Sequence, residues 1–162
     1  YDDSLDWHLL NYPMHSAMHD YVRQLNGYYV DHPELWEEDC DWSGFSWISC
    51  DDNDNSAIAF FRTGKDETDS TVVICNFTPV VRHSYRIGVP VKGDYVEVFN
   101  SDAEAFGGSN VLNEGVFAAQ DVPMHGMDQS IELTLPPLAT IYLRRKGCEA
   151  EKPDCEEEQL NG

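Results

Sequence analysis

The stretch VVICNFTPVVRHSYRIGVP, running from Val72 to Pro90, allows two readings. One gathers reactive groups: a thiol at Cys75, a histidine between arginines at His83, and an Asn-x-Thr acceptor at Asn76. The other sees two strands joined by a connection that begins at Pro79. Cys75 lies among Val72, Val73, Ile74 and Phe77, a setting that raises the pKa of a thiol, whereas a nucleophilic cysteine needs a lowered pKa and exposure. A free cysteine in such a run is a small buried hydrophobe. Pro79, just after the acceptor triplet, argues against glycosylation of Asn76. Arg82, His83 and Arg86 then read as polar flanks of the strands and make no site. The structural reading is the stronger one, and it points to a β fold.

Outward from this stretch, the hydropathy period stays at two from Phe45 to about Arg145. Strands are expected at Phe45–Cys50, Ser56–Thr63, Ser70–Phe77, Ser84–Val89, Asp94–Phe99, Ser130–Leu135 and Ala139–Arg144, separated by the turn clusters DDNDN (51–55), GKDETD (64–69), VPVKGD (89–94) and PPL (136–138). Short strands with turns at this spacing predict an antiparallel β-sandwich. The segment from Asn100 to Gln129 has few strand signals and reads as a structured surface loop. Before the strands, Met14, Ala17, Met18, Tyr21, Val22, Leu25 and Tyr28 recur every three or four residues, one apolar face of a helix. Pro13 suits its first turn and His32-Pro33 ends it. That face must pack on something: either the helix lies across the sandwich, or it belongs to a larger core. The fold class is therefore all-β, an antiparallel β-sandwich preceded by one amphipathic α-helix. Residues 1–40 form a first region and 41–145 the sandwich. The tail 146–162, with six acidic residues and almost no apolar ones, is expected to be disordered.

Ten basic against thirty acidic residues give a formal charge of −20. Such a surface repels phosphate backbones and anionic lipid, so neither nucleic acid nor membrane is an expected partner, while neutral sugars meet no such repulsion. The chain opens on Tyr1 with no apolar signal-like run, which predicts a piece of something longer. Five cysteines (Cys40, Cys50, Cys75, Cys148 and Cys155), an odd number without C-x-x-C spacing, fit neither a disulfide framework nor a zinc ribbon. Cys50 and Cys75 are expected to be buried, and a reducing cytoplasm is the expected compartment.

Other motifs are weak. His15 and His19 have two-histidine metal spacing, but Ser16 stands where a metalloprotease helix needs Glu, and no third ligand is evident. DDNDNS (51–56) resembles a calcium loop but has Ser56 where Gly is required and Arg62 in place of the closing Glu, so a hairpin turn is expected, with Asp and Asn taking positive φ. GGSN (107–110) lacks the second Gly of a nucleophile elbow, and its glycines are expected to turn the chain or allow close approach. No metal or cofactor is expected, and no local pattern supports catalysis.

Several stretches together nevertheless identify a family. SLDWHLL (4–10), VRQLNGYY (22–29), GFSWI (44–48), VVICNFTPVVRHSYRIGVP, NSDAEAFGGSN (100–110) and LTLPPLATIYL (133–143) resemble, in order, the C-terminal part of bacterial-type 1,4-α-glucan branching enzymes of the α-amylase superfamily. The resemblance covers roughly residues 1–145; the acidic tail departs from it. It implies a parent with a catalytic (β/α)8 barrel in cis, an α-amylase-type C-terminal β domain, and α-glucan (glycogen) as substrate. It implies that the catalytic carboxylates of a retaining transfer lie upstream, with none in this chain. Pro13–Asp31 would be the last barrel helix, held in place by the sandwich. Asp6 and Trp7, in the loop entering it, would lie near the glucan cleft on the barrel's catalytic face. There the indole would stack on a sugar ring; equally, it would pack the loop onto the helix. The alternative is a non-catalytic α-glucan-binding sandwich, with Trp36, Trp42, Trp47 and Tyr95 as its exposed aromatics.

Overall fold

In the computed structural model, which describes residues 5–66 and 69–147, the two strands of the opening stretch fall in different sheets. β1 (Phe45–Asp52), β2 (Ala57–Thr63), β3 (Ser70–Asn76), β5 (Asp94–Asn100), β6 (Phe117–Ala118) and β8 (Thr140–Arg145) form one sheet, in the order β1-β2-β3-β8-β5-β6. β4 (Arg82–Gly88) and β7 (Ser130–Leu135) pair with each other in the second. Every described pairing is antiparallel. The chain leaves the large sheet at Asn76, turns through Pro79 and enters the small one at Arg82. Val72 and Ile74 therefore face Ile87 and Val89 across a core completed by Tyr95, Ile131, Leu133, Leu135, Ile141 and Leu143.

The expected sandwich is present, with all seven expected strands. The eighth, β6, falls in the segment read as a loop and is only two residues long, too short for alternation to show. The DDNDN cluster is a hairpin turn as expected. Asp52 accepts from the Asn55 backbone N–H at 3.1 Å and from its side-chain amide at 2.9 Å. The left-handed residue there, however, is Ser56 (φ 50°) rather than an Asp or Asn.

Cys50 is exposed, contrary to expectation. Trp47 pairs with Phe60 but Ser49 with Ala59, so β1 carries a bulge. Ile48 and Ser49 both turn inward, and the next side chain is thrown out to solvent. Cys75 is half-buried on β3, where burial pushes its thiol pKa up although the Thr140 hydroxyl lies 3.4 Å from the sulfur. The acidic tail, apart from Lys146 and Gly147, lies outside the described residues, as do Cys148 and Cys155.

The helix α1 runs Pro13–Asp31 and lies across the outer face of the large sheet. Tyr21 packs against Phe99 and Phe106, and Tyr28 against Phe99 and Tyr142, with ring centroids 5.3–6.0 Å apart. The NSDAEAFGGSN loop supports the start of this helix. Asp102 accepts from the Ser109 N–H, the Ser109 hydroxyl and the Val111 N–H, closing the loop on itself. Gly107 (φ 85°) abuts Met14, and a Cβ on Gly108 would collide with the Asp102 carbonyl, the close approach for which these glycines were expected.

Candidate functional site

The chain's opening stretch and α1 position the two residues that the resemblance singles out. Trp7–Asn11 form a single 3-10 turn, closed by Leu9 N–H donating to the Asp6 carbonyl at 2.9 Å, and Tyr12 leads directly into Pro13. Trp7 is 67 % exposed. Asp6 is exposed beside it, its carboxylate 3.9 Å from His8 Nδ1. The turn thus presents an indole face and a carboxylate together to solvent.

One flank of the α1 apolar stripe is covered and the other is open. Tyr21 and Tyr28 face the sheet, while Met14, Met18, Val22, Tyr29 and Val30 remain exposed, Met14 and Val30 by more than two-thirds. Leu25 and Tyr29 line one cavity with Phe60 of the sheet, and Phe60 in turn packs against Phe45 and Trp47, which meet edge-on at 5.0 Å.

Behind α1, a buried polar joint fastens the helix's far end to the sheet. Glu34, in the 3-10 turn Pro33–Leu35, is 1 % exposed. It accepts from the Thr71 hydroxyl at 2.6 Å and lies 3.2 Å from Arg144 Nε. Arg144 also pairs with Asp69. Since the Thr71 hydrogen goes to Glu34, the Tyr28 hydroxyl donates to Thr71 across 3.2 Å. Burial pushes the Tyr28 phenol pKa well up, and Tyr142 up to about 12, so both stay protonated packing groups.

The remaining candidates do not assemble into a catalytic centre. Cys75 is in the large sheet and His83 in the small one. His15 stands edge-on to Tyr12 at 6.1 Å, and His19 lies 3.8 Å from Asp20. Among the described residues, no three His, Cys, Asp or Glu side chains are placed to hold a metal ion. The expected aromatic row is also broken. Trp42 is 96 % exposed and Trp36 and Trp47 are partly so, but Tyr95 is fully buried, its hydroxyl bonded to the Val91 carbonyl at 2.7 Å. Alternation alone left open which face of β5 it occupied.

The family model "Alpha amylase, C-terminal all-beta domain" matches residues 47–146. The chain belongs to this family. The match starts within β1 and ends just after β8, so it spans all but the first two residues of the sandwich and leaves α1 outside. The chain is also 49 % identical over 144 residues to the 1,4-alpha-glucan branching enzyme of Halothermothrix orenii, covering 89 % of this chain and 23 % of that protein. With the branching enzyme of Rhodospirillum rubrum the identity is again 49 % over 144 residues, covering 89 % and 19 %. With that of Xanthomonas axonopodis pv. citri it is 50 % over 147 residues, covering 91 % and 20 %. The chain spans about a fifth of the length of these curated relatives, and the part it matches is their C-terminal part. These similarities agree with the resemblance that the sequence motifs carried.

Proposed function

We propose that the chain is the C-terminal part of a 1,4-α-glucan branching enzyme, and that it packs against the catalytic barrel of its parent and stabilises it. The observation that carries this reading is the half-covered helix. α1 seats its aromatic flank on the sheet and leaves Met14, Met18, Val22, Tyr29 and Val30 exposed, which suits a helix shared between two cores. The similarity to branching enzymes over about nine-tenths of the chain supports the parent's identity. In such a parent, an aspartate nucleophile and a carboxyl acid/base about 5 Å apart would cleave an α-1,4 link and pass the glycosyl group to a 6-hydroxyl with retention. Both carboxylates would lie upstream of Tyr1, in the barrel. A cytoplasmic setting and a neutral glucan substrate suit the free cysteines and the charge of −20.

The chain alone is expected to form no α-1,6 links from amylose in a branch-linkage assay, while the full-length parent forms them. Branching by the 162 residues alone would overturn the assignment of catalysis to the barrel.

Asp6 and Trp7 belong to this proposal as glucan contacts. In a (β/α)8 barrel, the loop entering the last helix lies on the catalytic face. Trp7→Ala in the full-length enzyme is expected to lower kcat/KM about tenfold, the loss of one sugar–indole stacking contact of roughly 1–1.5 kcal/mol, with Tm unchanged. A drop in Tm with kcat/KM retained would instead make Trp7 a packing residue.

A further inference from the structure

The arginines and histidine of the opening stretch were expected to be plain strand flanks, but the structure arranges them around a cleft. β4 is bulged between Arg82 and Tyr85, where the pairing with β7 slips from Leu135 to Leu133. The bulge turns His83 and Ser84 out of the ladder and over a cavity of about 510 Å3, closed on its far side by the Met124–His125 turn. Bulges re-aim side chains in this way beside functional sites. Ser84 and His125, both lining the cleft, are held in the left-handed region at φ 53°. That conformation is uncommon outside glycine, and such residues cluster at ligand clamps.

The free hydrogen-bonding capacity of this cleft consists mainly of donors. Arg82 gives one Nη2 hydrogen to the Asn55 carbonyl at 3.2 Å and its Nε–H is buried out of a ligand's reach, which leaves Nη1 without a hydrogen-bond partner among the described residues. His125 Nδ1 accepts from the Gly88 N–H at 3.3 Å, so the neutral ring carries its hydrogen on Nε2. His83 and the Ser84 hydroxyl are exposed at the mouth. The one carboxylate lining the cleft is already engaged: Asp52 accepts from Asn55 on both oxygens and from the Tyr85 hydroxyl at 2.8 Å. Arg86 is paired with Glu132 at 2.8 Å and adds to the field more than to the free donors. An unpartnered guanidinium donor, two imidazoles and a hydroxyl around one opening suit an acceptor-only ligand of compact charge. On a chain of −20, an anion needs a local site of this kind to approach at all.

We propose that this cleft binds a small oxyanion, namely a phosphate group, with Arg82, His83, Ser84 and His125 as its donors. The proposal does not depend on the identity of the parent enzyme. Phosphate chemistry has two sources, free inorganic phosphate and the phosphate of a phosphorylated sugar, and both use the same donors.

The test is a titration of the 15N-labelled chain with sodium phosphate, glucose 6-phosphate, maltotriose, and sodium chloride at matched ionic strength, followed by amide chemical shifts. Saturable shifts at Tyr85, Gly88 and His125 with either phosphate compound, absent with chloride, are expected. Tighter binding of the sugar phosphate identifies the ester as the ligand; equal binding identifies the free anion. Arg82→Gln is expected to weaken binding about tenfold and His83→Gln about threefold. The exposed His83 offers a variant whose folding is not at stake should Arg82→Gln fail to fold. Shifts no larger than those from chloride, saturation by maltotriose alone, or affinity unchanged in His83→Gln and in a folded Arg82→Gln would overturn the proposal.

Discussion

Arg144→Ala is expected to lower the unfolding free energy by about 3–5 kcal/mol, the usual cost of leaving a buried charge without its partner. Glu34 is 1 % exposed, and its Oε2 has no hydrogen-bond partner among the described residues. Its other oxygen holds the Thr71 hydroxyl at 2.6 Å and lies 3.2 Å from Arg144 Nε. Thr71 and Arg144 are themselves opposite each other in the β3–β8 register, so one ladder position supplies both groups that receive the carboxylate. Truncating Arg144 leaves that carboxylate in place with only a hydroxyl to answer its charge, and frees Asp69 as well. The double variant Glu34→Gln with Arg144→Met removes both charges and fills much of the same volume, so its loss is expected to be markedly smaller, about 1–2 kcal/mol. Urea denaturation of the two variants measures this directly. A single variant no less stable than the double would show that the pair contributes nothing beyond its packing. The joint also decides where α1 sits, because Tyr28 reaches the same Thr71. Loss of Arg144 should therefore loosen the helix from the sheet, read as faster amide exchange across Tyr21–Asp31.

What could be read in advance follows from the range of the forces involved. The seven expected strands alternate over six or more residues between clusters of turn formers, and both signals are local. The helix shows itself by its apolar stripe in the same way. Three features were not legible because each arises from pairing between distant segments. The β1 bulge exposes Cys50 although its neighbours in sequence suggest burial. The β4 bulge gathers Arg82, His83 and Ser84 around a cleft although their alternation suggests an ordinary strand. Glu34 follows His32-Pro33 in a polar-looking stretch, and only the β3–β8 ladder supplies the Thr71 and Arg144 that permit its burial. Tyr95 shows the limit from the other direction, since an aromatic on a strand suits either face until the layers are stacked. The signal that could have flagged the cleft was the concentration of arginine and histidine within five residues, Arg82 to Arg86, in an otherwise acidic chain.

Asn76, which first suggested a glycan acceptor, is expected to matter through its amide rather than through any modification. It is 2 % exposed. Its Nδ2 donates to the Val80 carbonyl at 2.9 Å and the Pro136 carbonyl at 2.8 Å, and its Oδ1 accepts from the Thr78 N–H at 3.0 Å and the Thr78 hydroxyl at 2.8 Å. One side chain thus fastens the β3–β4 crossover to the β7–β8 turn, two of the connections that carry the chain between the sheets. Asn76→Ala strands these groups unequally. Val80 is half exposed, so water can replace the amide there, whereas Pro136 is fully buried and its carbonyl is left without that donor. At roughly 1–3 kcal/mol per buried group left unsatisfied, plus the lost bonds to Thr78, the expected destabilisation is about 2–4 kcal/mol. Asn76→Asp keeps the acceptor for Thr78 but sets a carboxylate against two carbonyl oxygens, so it is expected to lose at least as much at neutral pH. Thr78→Val removes only the hydroxyl donor and should cost no more than about 1 kcal/mol. Denaturant unfolding of the three variants gives the ranking, and a loss in Asn76→Ala no larger than that in Thr78→Val would remove the clasp. The same geometry bears on glycosylation. The nitrogen a glycan would occupy is buried and donates two hydrogen bonds, so the folded domain cannot be modified at Asn76 without losing the contacts that hold these two connections together.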